Sequence, residues 1–136
     1  MSVILIVEDN EKNMKLVRDV LQYKGYQTLE AVTGTDGLRL AHERKPALVL
    51  MDIQLPDIDG ITALSRLRGD PETQSIPVVA VSASVMPDEQ QKIVTAGFDA
   101  YVTKPINVKS FVETVERFIG KPQGKQRDDA DNPGSR

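Results

Sequence analysis

Cysteine is absent from the 136 residues and histidine occurs once, at His42. The first absence excludes disulfides and thiolate metal sites; the second leaves a zinc site with almost nothing but carboxylates, so a hard cation suits this chain better. No apolar run approaches the roughly 20 residues of a membrane span. Val3 to Val7 is too short for the apolar region of a signal peptide and is followed by acids instead of small residues, so the expected location is the cytoplasm. The formal charge is −3 with acids and bases mixed along the chain, and no basic face announces nucleic-acid binding. A glycine-rich phosphate loop is also missing after the first apolar run, where Glu8-Asp9-Asn10 would repel a phosphate unless a metal intervened. That argues against a nucleotide binder or a flavodoxin-like enzyme.

What is present reads as one domain, long enough to fold without staples. Val3 to Val7, Thr28 to Val32, Ala47 to Met51, Val78 to Val81 and Ala100 to Thr103 are strand signals. Ala47 to Met51 is apolar at every position, which suits a central parallel strand covered on both faces. Helices are expected from Glu11, capped by Asn10, to Lys24; from Gly34-Thr35-Asp36-Gly37 to about Arg44, closed by Pro46; over Ile61 to Arg68; over Pro87 to Ala96; and after the cap Asn107. Their expected core positions include Met14, Val17, Val20, Leu21, Leu38, Ala41, Ile61, Leu64, Leu67, Val108, Phe111, Val112, Val115, Phe118 and Ile119. Strands alternating with helices predict an α/β doubly wound (βα)5 parallel sheet. From Gly120 to Arg136 the composition turns polar, with Ala130 its one apolar residue, so the folded domain is expected over residues 1–119 and a disordered tail over 120–136.

In an open parallel sheet, ligands sit beyond the carboxyl ends of the strands where strand order reverses. With order 2-1-3-4-5 that point lies between the first and third strands, whose ends carry Glu8-Asp9 and Asp52. Such acids repel one another unless a cation neutralises them. Mg²⁺ takes one or two carboxylates with waters and phosphate oxygens, and the Gln54 carbonyl is a candidate further ligand. An aspartate beside Mg²⁺ can act as a nucleophile toward a phosphoryl group, a reaction that depends on positioned positive charge. Lys104 past the fifth strand supplies an ammonium, Ser82 past the fourth a hydroxyl, and Ala83 leaves a phosphodonor room. Each feature alone has a duller reading as a surface charge, a cap or a loop residue; four strand ends carrying suitable groups are far more specific.

Ile6-Val7-Glu8-Asp9-Asn10, Leu50-Met51-Asp52-Ile53-Gln54-Leu55-Pro56 with Asp59-Gly60, Val81-Ser82-Ala83 and Tyr101-Val102-Thr103-Lys104-Pro105 together resemble the receiver domain of two-component response regulators, the CheY-like, flavodoxin-like fold. The resemblance covers about residues 2 to 119 and within the family is greatest to stand-alone receivers of the DivK type. It implies that Asp52 accepts a phosphoryl group from a histidine kinase or histidine phosphotransferase, with Glu8, Asp9 and the Gln54 carbonyl around magnesium. It implies further that Lys104 pairs with the phosphoryl group, that the Lys104–Pro105 bond is cis, that Gly60 is structural, and that Ser82 and Tyr101 switch together. That switch would alter the face made by the fourth helix, fifth strand and fifth helix. Family members often have Thr where Ser82 stands, and the side chains of Gln54 and Ser84 occupy positions that influence phosphate lifetime.

The expected function is therefore a phosphoacceptor signalling protein, not an enzyme beyond self-dephosphorylation, acting on a downstream protein without nucleic acid or membrane. An intermediate phosphate carrier in a phosphorelay is the alternative, sharing the same residues. A monomer is expected, with a weak dimer through the fourth and fifth helices as the other arrangement.

Overall fold

The computed structural model describes residues 2–83 and 86–121; Ser84 and the expected polar tail beyond Lys121 lie outside the described residues. Five strands, β1 (Val3–Val7), β2 (Gln27–Ala31), β3 (Leu48–Asp52), β4 (Val78–Ser82) and β5 (Ala100–Thr103), alternate with α1 (Glu11–Tyr23), α2 (Gly34–Arg44), α3 (Gly60–Arg68), α4 (Pro87–Ala96) and α5 (Val108–Ile119). The strands form one parallel sheet, as the alternation predicts, and their order is the expected β2-β1-β3-β4-β5. The switch point thus lies between β1 and β3, the two strands that end in acids.

Successive strand side chains point to opposite faces, and the apolar runs feed both. Leu5, Val7, Val49, Met51, Val78 and Ala80 pack with Ala41 of α2, with Ala63, Leu64 and Leu67 of α3, and with Ile93 of α4. Ile4, Ile6, Leu48, Leu50 and Val79 pack on the other face with Met14, Val17 and Leu21 of α1 and with Phe111, Val112 and Val115 of α5. Full burial of one such side chain contributes about 1.5 to 3 kcal/mol, so strands apolar at every position are explained by two helical layers, not one.

Local chemistry sets the helix limits. Asn10, Thr33, Asp59 and Asn107 each accept a hydrogen bond from a backbone N–H in the first turn, at 2.7 to 3.1 Å. Lys45 ends α2 in the left-handed region at φ 45°; Pro46 behind it disfavours a further right-handed residue. Gly97 ends α4 at φ 108°, where glycine carries no side-chain penalty.

Two expected core positions are corrected. Ile61 is 37% exposed and Val108 44% exposed. Each falls at the first turn of its helix, where the residue overhangs the edge of the layer; Ala63 takes the buried place in α3. Val20, Leu38, Phe118 and Ile119 are partly buried against the two cores. Among the described residues no helix is long and apolar enough to cross a membrane.

Candidate functional site

The carboxyl ends of β1 and β3 bring the sequence-predicted acids together. One carboxylate oxygen from each of Glu8, Asp9 and Asp52 lies within 4.8 Å of the others. Glu8 and Asp52 are buried and Asp9 is exposed, so the cluster opens to solvent on one side. The sheet continues slightly past the apolar runs: Glu8 N–H donates to the Ala31 carbonyl at 2.9 Å and Ile53 N–H to the Val81 carbonyl at 3.0 Å. Asp52 is accordingly the last residue of its strand, and so is Ser82, which the sequence places just beyond β4. Both are buried.

Each oxygen of Asp52 is engaged. Oδ1 accepts from the Gln54 N–H at 2.9 Å, and Oδ2 accepts from Lys104 Nζ at 3.0 Å. Lys104 also lies 3.2 Å from Glu8 Oε1. Its backbone is fixed by a 2.8 Å bond from its N–H to the Ser82 carbonyl, and the following Lys104–Pro105 peptide is cis, in agreement with the resemblance. The ammonium therefore bridges two buried carboxylates delivered by different strands.

Partial burial works against the Lys104 charge, but Asp52 and Glu8 outweigh it and hold its pKa above the ordinary lysine value. Glu8 moves the opposite way from a typical ion-paired acid. Burial first, then the neighbouring Asp52 carboxylate, raise it from 4.5 to about 6, against the Asn10 N–H and Lys104. One lysine does not compensate this much negative charge. An all-oxygen, carboxylate-rich donor set that is under-neutralised and open on one side fits a hard divalent ion such as Mg²⁺.

A pH dependence follows. Glu8 binds its proton more tightly folded than unfolded, so the metal-free protein loses stability as pH rises from about 4.5 to about 6. Asp19, Asp57 and Asp70 have depressed values, so their contribution has the opposite sign, growing as pH rises through the ordinary 3.8 and nearly complete where the Glu8 decline begins. Thermal melts in chelator across the window should show the decline, and Glu8→Gln should remove it. A rise in stability there would contradict the assignment.

The remaining predicted residues are close by or further out. Gly60 is buried under the turn that follows Asp52, where a Cβ would meet the Asp52 carbonyl oxygen and Ile53 Cα at 2.9 Å; the close backbone approach explains the glycine. Gln54 contributes its N–H to Asp52, and its side chain is exposed. Tyr101 sits on β5 away from the acids, 37% exposed, and its hydroxyl donates to Gln90 Oε1 of α4 at 3.0 Å. Gln90 escapes the sequence reading because nothing in a polar helix face marks one glutamine as a tyrosine partner. Asp57 escapes it too: its carboxylate accepts from the backbone of α2, a tie that spans 22 residues or more.

Residues 4–116 match the response regulator receiver domain family. The chain belongs to that family. The polar-differentiation response regulator DivK of Brucella anthropi is 44% identical over 117 residues, covering 86% of this chain and 95% of the relative. The receiver domain of a sensor histidine kinase from Pseudomonas aeruginosa PAO1, whose crystal structure holds a magnesium ion coordinated in the active-site cleft, superposes with a TM-score of 0.82. It is 28% identical and covers 88% of this chain and 98% of its own. The chemotaxis protein CheY4 of Vibrio cholerae superposes at 0.81 over 87% of this chain and 98% of its own; at 22% identity it speaks to the fold alone. Membership makes this chain a response regulator receiver domain of two-component signalling and supports a phosphoacceptor role.

Proposed function

We propose that Asp52 is the phosphoacceptor of this receiver domain, taking its phosphoryl group from a histidine kinase or histidine phosphotransferase in the cytoplasm. The observation that carries the reading is the bridging ammonium: Lys104 Nζ lies 3.0 Å from Asp52 and 3.2 Å from Glu8, at the strand ends where the acids gather. An Asp52 oxygen attacks the phosphorus of a phosphohistidine, the O–P bond forms as the N–P bond breaks, and the electron pair of the latter stays on the imidazole. Both Asp52 oxygens are held in the resting protein, so Lys104 leaves Oδ2 to follow the charge onto the phosphoryl oxygens. Glu8, Asp9 and Asp52 with the Gln54 carbonyl would hold Mg²⁺. When bound, that ion supplies positive charge to the attacking and phosphoryl oxygens.

Ser82, buried at the end of β4, offers its hydroxyl to the phosphoryl group, and Tyr101 reports the change on the face of α4, β5 and α5. A downstream protein then reads a population shift between two surfaces. On this reading the chain signals as a monomer and is not an enzyme acting on an external substrate.

Adding beryllofluoride with Mg²⁺ should move the backbone amide resonances of residues 100 to 103 and of α4, and chelator should reverse the change. Spectra unchanged at saturating reagent would contradict the proposal.

A further inference from the structure

The loop between β3 and α3 carries Gln54 toward the acids and is pinned from a distance. Its first residue is tied back, since the Gly60 N–H donates to the Ile53 carbonyl at 2.8 Å, and Asp59 is committed to capping α3. Between them the chain reaches sideways to α2. Asp57 Oδ1 accepts from the Gly34 N–H at 2.8 Å, and Oδ2 accepts from the Thr35 N–H at 2.8 Å and from the Thr35 hydroxyl. The Thr35 hydroxyl first, then the N–H groups of Thr35, Gly34 and Ile58, hold the Asp57 carboxyl well below the usual carboxylate range although it is exposed. Ile58 seats against the same helix end so closely that a Cβ on Gly34 would come within 2.5 Å of Ile58 Cγ1. Leu55 and Ile58 also pack on the core under α2 and α3.

We infer that Asp57 is a positioning residue, clamping the loop to α2 so that the Gln54 backbone is held beside Asp52 in the geometry that binds a divalent cation. The inference rests on the reading of Gln54 and Asp52 as part of the magnesium and phosphoryl site. Charge-assisted bonds to a rigid helix end suit the task, because outer partners that orient ligands govern metal affinity as well as the ligands themselves. A bland role is available: Asp57 would merely favour the start of α2. The two roles differ in what they do to the metal.

Calorimetric titration with Mg²⁺ of the wild type, Asp57→Ala, Asp57→Asn, Thr35→Val and the Asp57→Ala/Thr35→Val double variant separates them. Asp57→Ala should weaken Mg²⁺ binding about tenfold, with faster hydrogen exchange confined to residues 53–59. Asp57→Asn, which keeps an acceptor oxygen, and Thr35→Val, which leaves the charge unchanged, should each have a smaller effect. The double variant should be no weaker than Asp57→Ala, because both act through one clasp. Unchanged affinity in Asp57→Ala, even with a lower melting temperature, would reduce the residue to a helix cap. Equal losses in Asp57→Ala and Asp57→Asn with none in Thr35→Val would mean loss of charge alone, and additive losses would mean two separate contacts; either overturns the clamp. A wild type that binds no Mg²⁺ would instead remove the site reading beneath it, and the clamp with it.

Discussion

Replacing Lys104 by alanine should destabilise the metal-free protein by about 3 kcal/mol and slow phosphoryl uptake by about 100-fold. The stability loss arises because Glu8 and Asp52 are buried and share this one ammonium, at 3.2 and 3.0 Å. Removing one partner of a buried ion pair leaves charge uncompensated, at a typical cost of about 3 to 5 kcal/mol. The lower end applies because Lys104 is itself 19% exposed and water reaches it. With Mg²⁺ present the cation takes over the compensation, and the stability deficit should shrink while the kinetic defect stays. Paired melts with magnesium and with chelator, and initial rates from acetyl phosphate, give the comparison. An equal deficit in both melts would mean that the ammonium and the divalent ion do not answer the same charges.

Glu8→Gln combined with Asp9→Asn should lower Mg²⁺ affinity by at least about 100-fold. One unit-charge pair near a protein surface is worth roughly 4 kcal/mol at 4 Å, and about 1.4 kcal/mol is a factor of ten. Two lost charges beside a divalent ion thus outweigh any saving in desolvation. Metal-free stability should move the other way, rising by about 1 kcal/mol as the burial penalty on the Glu8 charge, and with it the repulsion from Asp52, that lift Glu8 to about 6 disappear. Magnesium titration and a melt in chelator read the two signs. A double variant less stable than wild type without metal would show the acids to be structural, not strained.

The convergence of the candidate site is legible because each of its charged groups directly follows or ends a strand run. Glu8 follows Val7, Asp52 follows Met51 and Lys104 follows Thr103, and sheet topology alone then converges them. Strand ends were less legible. Main-chain pairing carries β3 through Asp52 and β4 through Ser82, and polarity of a side chain does not stop its backbone from bonding. Helical periodicity named Leu64, Leu67, Phe111 and Val115 correctly but also Ile61 and Val108, because spacing identifies a stripe and not where the layer beneath it ends. The Asp57 clasp was illegible for a different reason. It joins the loop before α3 to the first turn of α2, a proximity that depends on how α2 and α3 pack, and no local pattern encodes that.

The most direct test of the central claim is to locate the phosphoryl group. Wild-type protein incubated with acetyl phosphate and Mg²⁺, trapped by borohydride reduction and mapped by peptide mass spectrometry, should carry its modification at Asp52 and nowhere else, with none in Asp52→Ala. Modification at a different residue, or undiminished labelling of Asp52→Ala, would contradict the account.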